Sequence, residues 1–129
     1  MQLEKGVFLD IDTVDSGDLD KQRLTALLPC WNWHGASEPA EIGLRIGQAD
    51  VVLSNTCILD RAILSSARQL KLVGLVATGT DRIDLEAAAE FGITVCNIRD
   101  YCSDSVSQHA ITLMLNLLTG QPWYSRSAV

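Results

Sequence analysis

The chain has 129 residues, ten Lys and Arg against sixteen Asp and Glu, and a formal charge of −6, enough for one domain of ordinary size and not for two. With no run of basic residues anywhere, it carries no electrostatic footprint for phosphate backbones or anionic lipid, so neither nucleic acid nor membrane is an expected partner. At 47% hydrophobic and 20% charged residues it holds too much apolar mass for disorder and is expected to bury roughly two-thirds of its unfolded surface.

In chain order, Gly6 to Ile11 is a compact β-type run ending in acidic residues. Asp18 opens a helical stretch whose Leu24, Leu27 and Leu28 share a face until Pro29 stops it. Cys30 to His34 alternates, with Trp31 and Trp33 on one side, and reads as a strand near a sheet edge. Ser37, Glu38 and Pro39 start a helix carrying Ile42, Ile46 and Ala49 at helical spacing, and Asp50 to Ser54 is the third strand. A helix from Asp60 to Ala67 leads into Leu72 to Ala77, an apolar run placed mid-sheet, with Thr78 to Asp81 as the loop after it. Asp84 starts a helix that Gly92 ends, and Ile93 to Asn97 is the fifth strand. In the last segment Ser105 and Gln108 have capping-box spacing, Val106 to Leu118 is apolar almost all round, and Gly120 with Pro122 marks the end. A helix so apolar is expected to be buried, or to bury itself against something missing from this chain.

Strands alternating with helices predict an α/β fold: a flavodoxin-like, doubly wound, parallel five-stranded sheet with helices on both faces. Ligands of such sheets sit beyond the carboxyl ends of the strands. That rule singles out four loops: Asp10 to Thr13, Ser54 to Thr56, Thr78 to Asp81 and Arg99 to Ser105. The opening Met-Gln-Leu-Glu-Lys lacks the basic start and apolar stretch of a signal peptide, and no apolar run approaches the ~20 residues that span a bilayer, so a cytoplasmic location is expected. Cys30, Cys57, Cys96 and Cys102 form no C-x-x-C pair and neither His34 nor His109 has a nearby cysteine, so reduced thiols and no metal site are expected.

Glycine motifs exclude more than they support. There is no G-x-G-x-x-G, and Gly74 to Gly79 has P-loop spacing but continues with Thr80 and Asp81 where Lys and Ser/Thr would hold phosphate and magnesium. Asp10 and Asp12 at a strand end could serve as nucleophile and general acid beside magnesium, as in haloacid dehalogenase-like phosphatases, with Ser54, Lys71 and the Asp81/Asp84 pair as further parts. As turn and capping residues they need no such role. Asp84 and Glu86 suit dipole capping at a helix start, and His34 and His109 lack a sequence-local carboxylate to orient them.

Three blocks in register are more specific: Ala77 to Leu85 (ATGTDRIDL), Gly92 to Asn97 (GITVCN), and Asp104 to Ala110 (DSVSQHA). Together with Phe8 to Thr13, Ala49 to Asn55 and Leu59 to Arg61 they closely resemble the D-isomer-specific 2-hydroxyacid dehydrogenases, nearest to the glycerate dehydrogenase (hydroxypyruvate reductase) branch, over nearly the whole chain. The resemblance implies that the loop matching Thr78 and Gly79 presents N–H groups to a substrate carboxylate. It also implies that Ser54 and Asn55 border the substrate pocket, that Tyr101 covers its mouth, and that Ser105 and Val106 lie near the nicotinamide. Gln108 stands where many members have Glu.

In that family the substrate domain is split by a Rossmann domain carrying G-x-G-x-x-G, the ribose-reading acid and the catalytic Arg, Glu and His. None of these has a counterpart here, and neither His34 nor His109 matches the family's histidine. The expected organisation is a substrate-binding domain over 1–102 and an exit helix and tail over 103–129, leading toward an NAD-binding domain. The expected function is the substrate-binding part of an NAD(P)-dependent oxidoreductase passing hydride between nicotinamide and a small 2-hydroxy or 2-keto acid such as glycerate/hydroxypyruvate or glyoxylate. No catalytic residue is assigned, and NAD or NADP belongs to the full-length enzyme rather than to this chain alone. The alternatives are a non-enzymatic α/β interaction module, with the apolar final helix as a homodimer surface through Leu113, Leu117 and Trp123, and the magnesium phosphatase.

Overall fold

The computed structural model describes residues 3–121, 123 and 124 and divides into two compact units, Met1–Arg99 and Asp100–Val129, each taken here by itself. In the first, five short strands, β1 (Lys5–Phe8), β2 (Cys30–Trp33), β3 (Val51–Ser54), β4 (Leu72–Leu75) and β5 (Thr94–Asn97), form one sheet in the order β2-β1-β3-β4-β5. All four pairings are parallel. This is the expected flavodoxin-like order, with β2 at an edge and β4 inside.

Alternation along each strand decides which residues meet the helices. Val7, Val52, Val73 and Val95 stand in register across β1, β3, β4 and β5, and the first three are fully buried. Against them pack Ile42 and Ile46 of α2 (Pro39–Ile46), Leu64 of α3 (Arg61–Ser66), and Ala87 and Ala88 of α4 (Leu85–Glu90). Each fully buried Val, Ile or Leu side chain among these contributes roughly 1.5–3 kcal/mol, and each alanine methyl about 0.8. The opposite face carries Phe8, stacked on Trp33, which in turn stacks on Trp31. A Cβ on Gly6 would lie 2.6 Å from the Trp31 ring, so glycine there is what lets the edge aromatic lie flat on the sheet. On this face Leu24, Leu27 and Leu28, in and beyond α1 (Gln22–Thr25), line a cavity of about 330 Å³ with Trp31, Leu53 and Leu72.

Local hydrogen bonds explain where the helices begin. Pro39 opens α2, and the Glu41 carboxylate accepts the Glu38 N–H. Asp60 and Asp84 cap α3 and α4 by accepting the N–H of Ile63 and Ala87. Arg61 on α3 reaches Glu90 on α4 at 2.6 Å. The first helix is shorter than expected, starting at Gln22 rather than Asp18. Asp15 draws the preceding chain into a turn by accepting from Gly17 and Leu19 and pairing with Lys21 at 2.6 Å, and the Asp20 carboxylate takes the Gln22 N–H.

The second unit holds α5 (Ser103–Thr119), ended by Gly120 in the left-handed region at φ 64°; Pro122 lies outside the described residues. The expected Ser105–Gln108 capping box does not form. The N-cap is Cys102, so Ser105 falls inside the first turn and its hydroxyl donates back to the Cys102 carbonyl. No residue of α5 is buried, so of the two expectations for so apolar a helix, burial within the chain is not met. Among the described residues no helix is long and apolar enough to cross a membrane.

Candidate functional site

In an all-parallel sheet every strand ends at the same edge, so the loops after β1, β3 and β4 lie side by side. The loop after β3 is the most constrained. Asp10, the second residue after β1, is 2% exposed, and its carboxylate accepts the N–H of Thr56 at 2.6 Å, the Thr56 hydroxyl at 2.8 Å and the N–H of Asn55 at 2.9 Å. The Cys57 N–H, at 3.3 Å, adds a longer contact. Burial pushes the Asp10 carboxyl up, but these donors outweigh it and hold it below its ordinary value. A carboxylate so enclosed is a clamp for the loop.

Ser54 is fully buried, and its hydroxyl accepts the Cys57 N–H at 3.2 Å. Its side chain therefore presents nothing to a ligand, and contact from this loop falls to half-buried Asn55 and exposed Thr56. From its own side, the Arg82 guanidinium donates to the Thr56 carbonyl at 3.2 Å. A parallel bridge between Leu59 and Ile83 runs the segments after β3 and β4 alongside each other.

The loop after β4 leaves Thr78 and Gly79 exposed. The Asn97 side-chain amide, at the end of β5, donates to the Thr78 carbonyl at 2.7 Å. Carbonyl and N–H of one trans peptide point in opposite directions, so holding the Thr78 carbonyl toward Asn97 aims the Gly79 N–H away from it. A Cβ on Gly79 would come within 2.7 Å of Asp81 Oδ1. This leaves the Gly79 N–H without an acceptor among the described residues, with the exposed Asp81 carboxylate beside it, a main-chain donor open to an anion once that side chain swings aside.

Of the residues singled out in the sequence, Ser54, Asn55, Thr78 and Gly79 thus stand at the ends of adjacent strands in the first unit. Tyr101, 62% exposed, and Ser105 and Val106, both exposed, belong to the second unit and are described with it alone. The phosphatase arrangement does not assemble. Asp10 is consumed by the loop, and Lys71 pairs with Asp50 at 3.3 Å, where Asp50 also accepts from Glu4 and Lys5 at the beginning of β1. Among the described residues no cluster of three or more His, Cys, Asp or Glu could hold a metal ion. His34 is half-buried; burial first, then the Arg45 charge, lower its pKa.

Sequence reasoning placed the Asp10 to Thr13 loop at this edge without the clamping role of Asp10 or the Thr13 contact to Asn55, and it missed Asn97, which gave no signal. All four cysteines are free; Cys57 is buried, as expected of a thiol used as a small apolar group, whereas Cys30 and Cys96 are exposed on edge strands.

The model of the D-isomer specific 2-hydroxyacid dehydrogenase catalytic domain matches residues 11–129. A hydroxypyruvate reductase of Blautia hydrogenotrophica is 36% identical over 115 residues, covering 88% of this chain and 36% of that protein. A glycerate dehydrogenase of Methylorubrum extorquens is 36% identical over 106 residues, covering 77% of this chain and 34% of the relative. The chain thus spans about a third of the length of these relatives. Among solved structures, an NAD-dependent formate dehydrogenase from Staphylococcus aureus in complex with NAD superposes with a TM-score of 0.75 at 24% identity, covering 97% of this chain and 41% of that one; this likeness concerns the fold. With the family model matched over nearly its whole length, the chain belongs to the D-isomer specific 2-hydroxyacid dehydrogenases.

Proposed function

We propose that this chain supplies the substrate-binding side of an NAD(P)-dependent oxidoreductase that moves a hydride between nicotinamide and a small D-2-hydroxy or 2-keto acid, with glycerate/hydroxypyruvate or glyoxylate as substrate. The observation that carries the reading is the pair of loops at the strand ends, with the Gly79 N–H, unpartnered among the described residues, on one and the clamped Asn55 on the other. A carboxylate docks on main-chain donors without needing a cation beside it, and family membership favours that use of this edge. In this reading Thr78 and Gly79 hold the carboxylate and Asn55 faces the rest of the acid, while Tyr101, Ser105 and Val106 keep the roles that the family resemblance implies for them.

The residues present do not by themselves fit a dinucleotide. The chain has no glycine-rich pyrophosphate turn, and the Ser105 hydroxyl is spent on the Cys102 carbonyl. The isolated chain is therefore expected to show no hydroxypyruvate-dependent oxidation of NADH. The direct test is a titration of the ¹⁵N-labelled chain with D-glycerate followed by amide chemical shifts. Perturbation centred on Asn55, Thr56 and Gly79 supports the reading; none at millimolar ligand, or shifts confined to the opposite sheet edge around Asp50, would overturn it.

A second reading, of α5 as a homodimer surface, is favoured by the exposure of Ile111, Leu113, Met114, Leu115 and Leu117 at 50% or more. Sedimentation decides it: a monomer at high concentration rules it out.

A further inference from the structure

We infer that Thr13 and Asp10 orient Asn55 so that this loop selects acids bearing a hydrogen-bond donor at C3, a terminal hydroxyl rather than a second carboxylate. The inference rests on the reading of the Asn55 and Gly79 loops as the substrate edge. It goes further in assigning a selecting atom and the residues that position it.

The hydrogen bonds leave one arrangement. The Thr13 hydroxyl is 2.7 Å from the Asp10 main-chain carbonyl. A carbonyl only accepts, so the single Thr13 proton is donated there. Toward any other partner the Thr13 oxygen can then act only as acceptor. Asn55 Nδ2 lies 3.0 Å from that oxygen, so the side-chain amide must turn its NH₂ to Thr13 and its Oδ1 away. The Asn55 main chain is meanwhile held by the Asp10 carboxylate at 2.9 Å. Asp10 thereby fixes both ends of a closed ring, through its carbonyl to Thr13 and through its carboxylate to the Asn55 backbone.

What remains unspent in this ring is Asn55 Oδ1, for which no protein donor is recorded among the described residues. An amide oxygen held in place rewards a ligand that brings an O–H and penalises one that brings only lone pairs, since two acceptors facing each other leave both unsatisfied. D-Glycerate and tartronate carry the same hydroxyl-bearing carbon and the same first carboxylate. They differ at C3, where glycerate has CH₂OH and tartronate a carboxylate that only accepts.

The test compares the affinities of D-glycerate and tartronate for the ¹⁵N-labelled chain and its variants. Wild type is expected to prefer D-glycerate. Thr13→Val, which removes the acceptor and frees the amide to turn its NH₂ outward, should cut that preference by about fivefold. Thr13→Ser, which keeps the hydroxyl, should retain it, and Asn55→Ala should remove it. A role of Thr13 in stability alone would weaken both acids equally and leave the ratio where it was. Tartronate bound as well as D-glycerate by wild type, or a preference unchanged in Thr13→Val, would overturn the inference alone. If Thr13→Val does not fold, the Ser and Ala variants decide: loss of the preference in Thr13→Ser, or its survival in Asn55→Ala, also overturns it. Absence of binding by either acid to wild type would overturn the substrate-edge reading, and this inference with it.

Discussion

Removing the Asp10 carboxylate is the sharpest test of how this edge is built. Asp10→Ala would leave the N–H groups of Asn55 and Thr56 and the Thr56 hydroxyl facing a void where an ionised oxygen stood 2.6–2.9 Å away. An unpaired donor costs about 1–3 kcal/mol when buried, and a bond to a charged group about 1.5–3. Thr56 is exposed and can recover water, and the three losses share one partner, so they are not additive. The expected total is about 3–5 kcal/mol, a large share of the ~5–15 kcal/mol that a domain of this size holds. With a urea dependence of about 1–2 kcal/mol/M, the unfolding midpoint should drop by about 1.5–5 M, read by fluorescence of the stacked Trp31 and Trp33. Asp10→Asn keeps one acceptor oxygen and should cost less, about 1–2 kcal/mol. The pH dependence has a definite sign. Because the folded pKa lies below the ordinary 3.8, the carboxylate contribution is fully present above that value and is lost as pH falls through the lower folded one. The gap between wild type and Asp10→Asn should therefore close on acidification. A cost below about 1 kcal/mol for Asp10→Ala, or a gap that widens in acid, would refute the clamp.

Three further outcomes are expected. Gly79→Ala should change stability by no more than about 0.5 kcal/mol, because the clashing Asp81 side chain is 82% exposed and free to swing aside; D-glycerate binding should nonetheless weaken, and an unchanged affinity by amide shifts would remove Gly79 from the site. Asn97→Ala frees the Thr78 carbonyl and should lower the affinity for acetate, a probe that offers a carboxylate and little else, with Asn97→Gln partly restoring it. Thiol labelling under native conditions should modify exposed Cys30 and Cys96 quickly and Cys57 only as the domain opens, since burial first and the Asp10 charge second raise its pKa; rapid native labelling of Cys57 by peptide mapping would contradict the packing of this loop.

Much of the fold was legible because the sheet is parallel and covered. Val7, Val52 and Val73 fall on one face of their strands, and the flanking helices repeat Ile42/Ile46 and Ala87/Ala88 toward it. That regularity locates the five strands and their covering helices, and the flavodoxin-like order follows from the fold class that this alternation indicates. What misled were the ends. The start of α1 was assigned to Asp18, yet Asp15 and Asp20 had already spent the chain's local N–H groups on turns. Ser105 and Gln108 have capping spacing, but the spacing identifies a cap only if the helix begins there, and α5 begins at Ser103. Capping residues are interchangeable over a few positions, so local sequence sets the existence of a helix better than its first residue.

The same contrast separates what could be read of the site from what could not. Thr78, Gly79, Ser54 and Asn55 were reachable because they sit inside motifs with sequential spacing at strand ends. Their positioning partners are remote: Asp10 reaches Asn55 and Thr56 across more than forty residues, Thr13 meets Asn55 at a similar separation, and Asn97 holds Thr78 from nineteen residues away. No periodicity connects such pairs; only the strand order that lays β1 beside β3 and β4 beside β5 does. Topology also sharpens the reading of two residues. Asp10, a turn and capping residue that could also have been cast as a nucleophile, becomes a clamp through burial beneath the β3 loop. Ser54 and Asn55 border the pocket together by family resemblance, and the burial of Ser54 leaves contact from this loop to Asn55. A strand end names the neighbourhood of a site, but the alternation of side chains across it decides which residue the ligand meets.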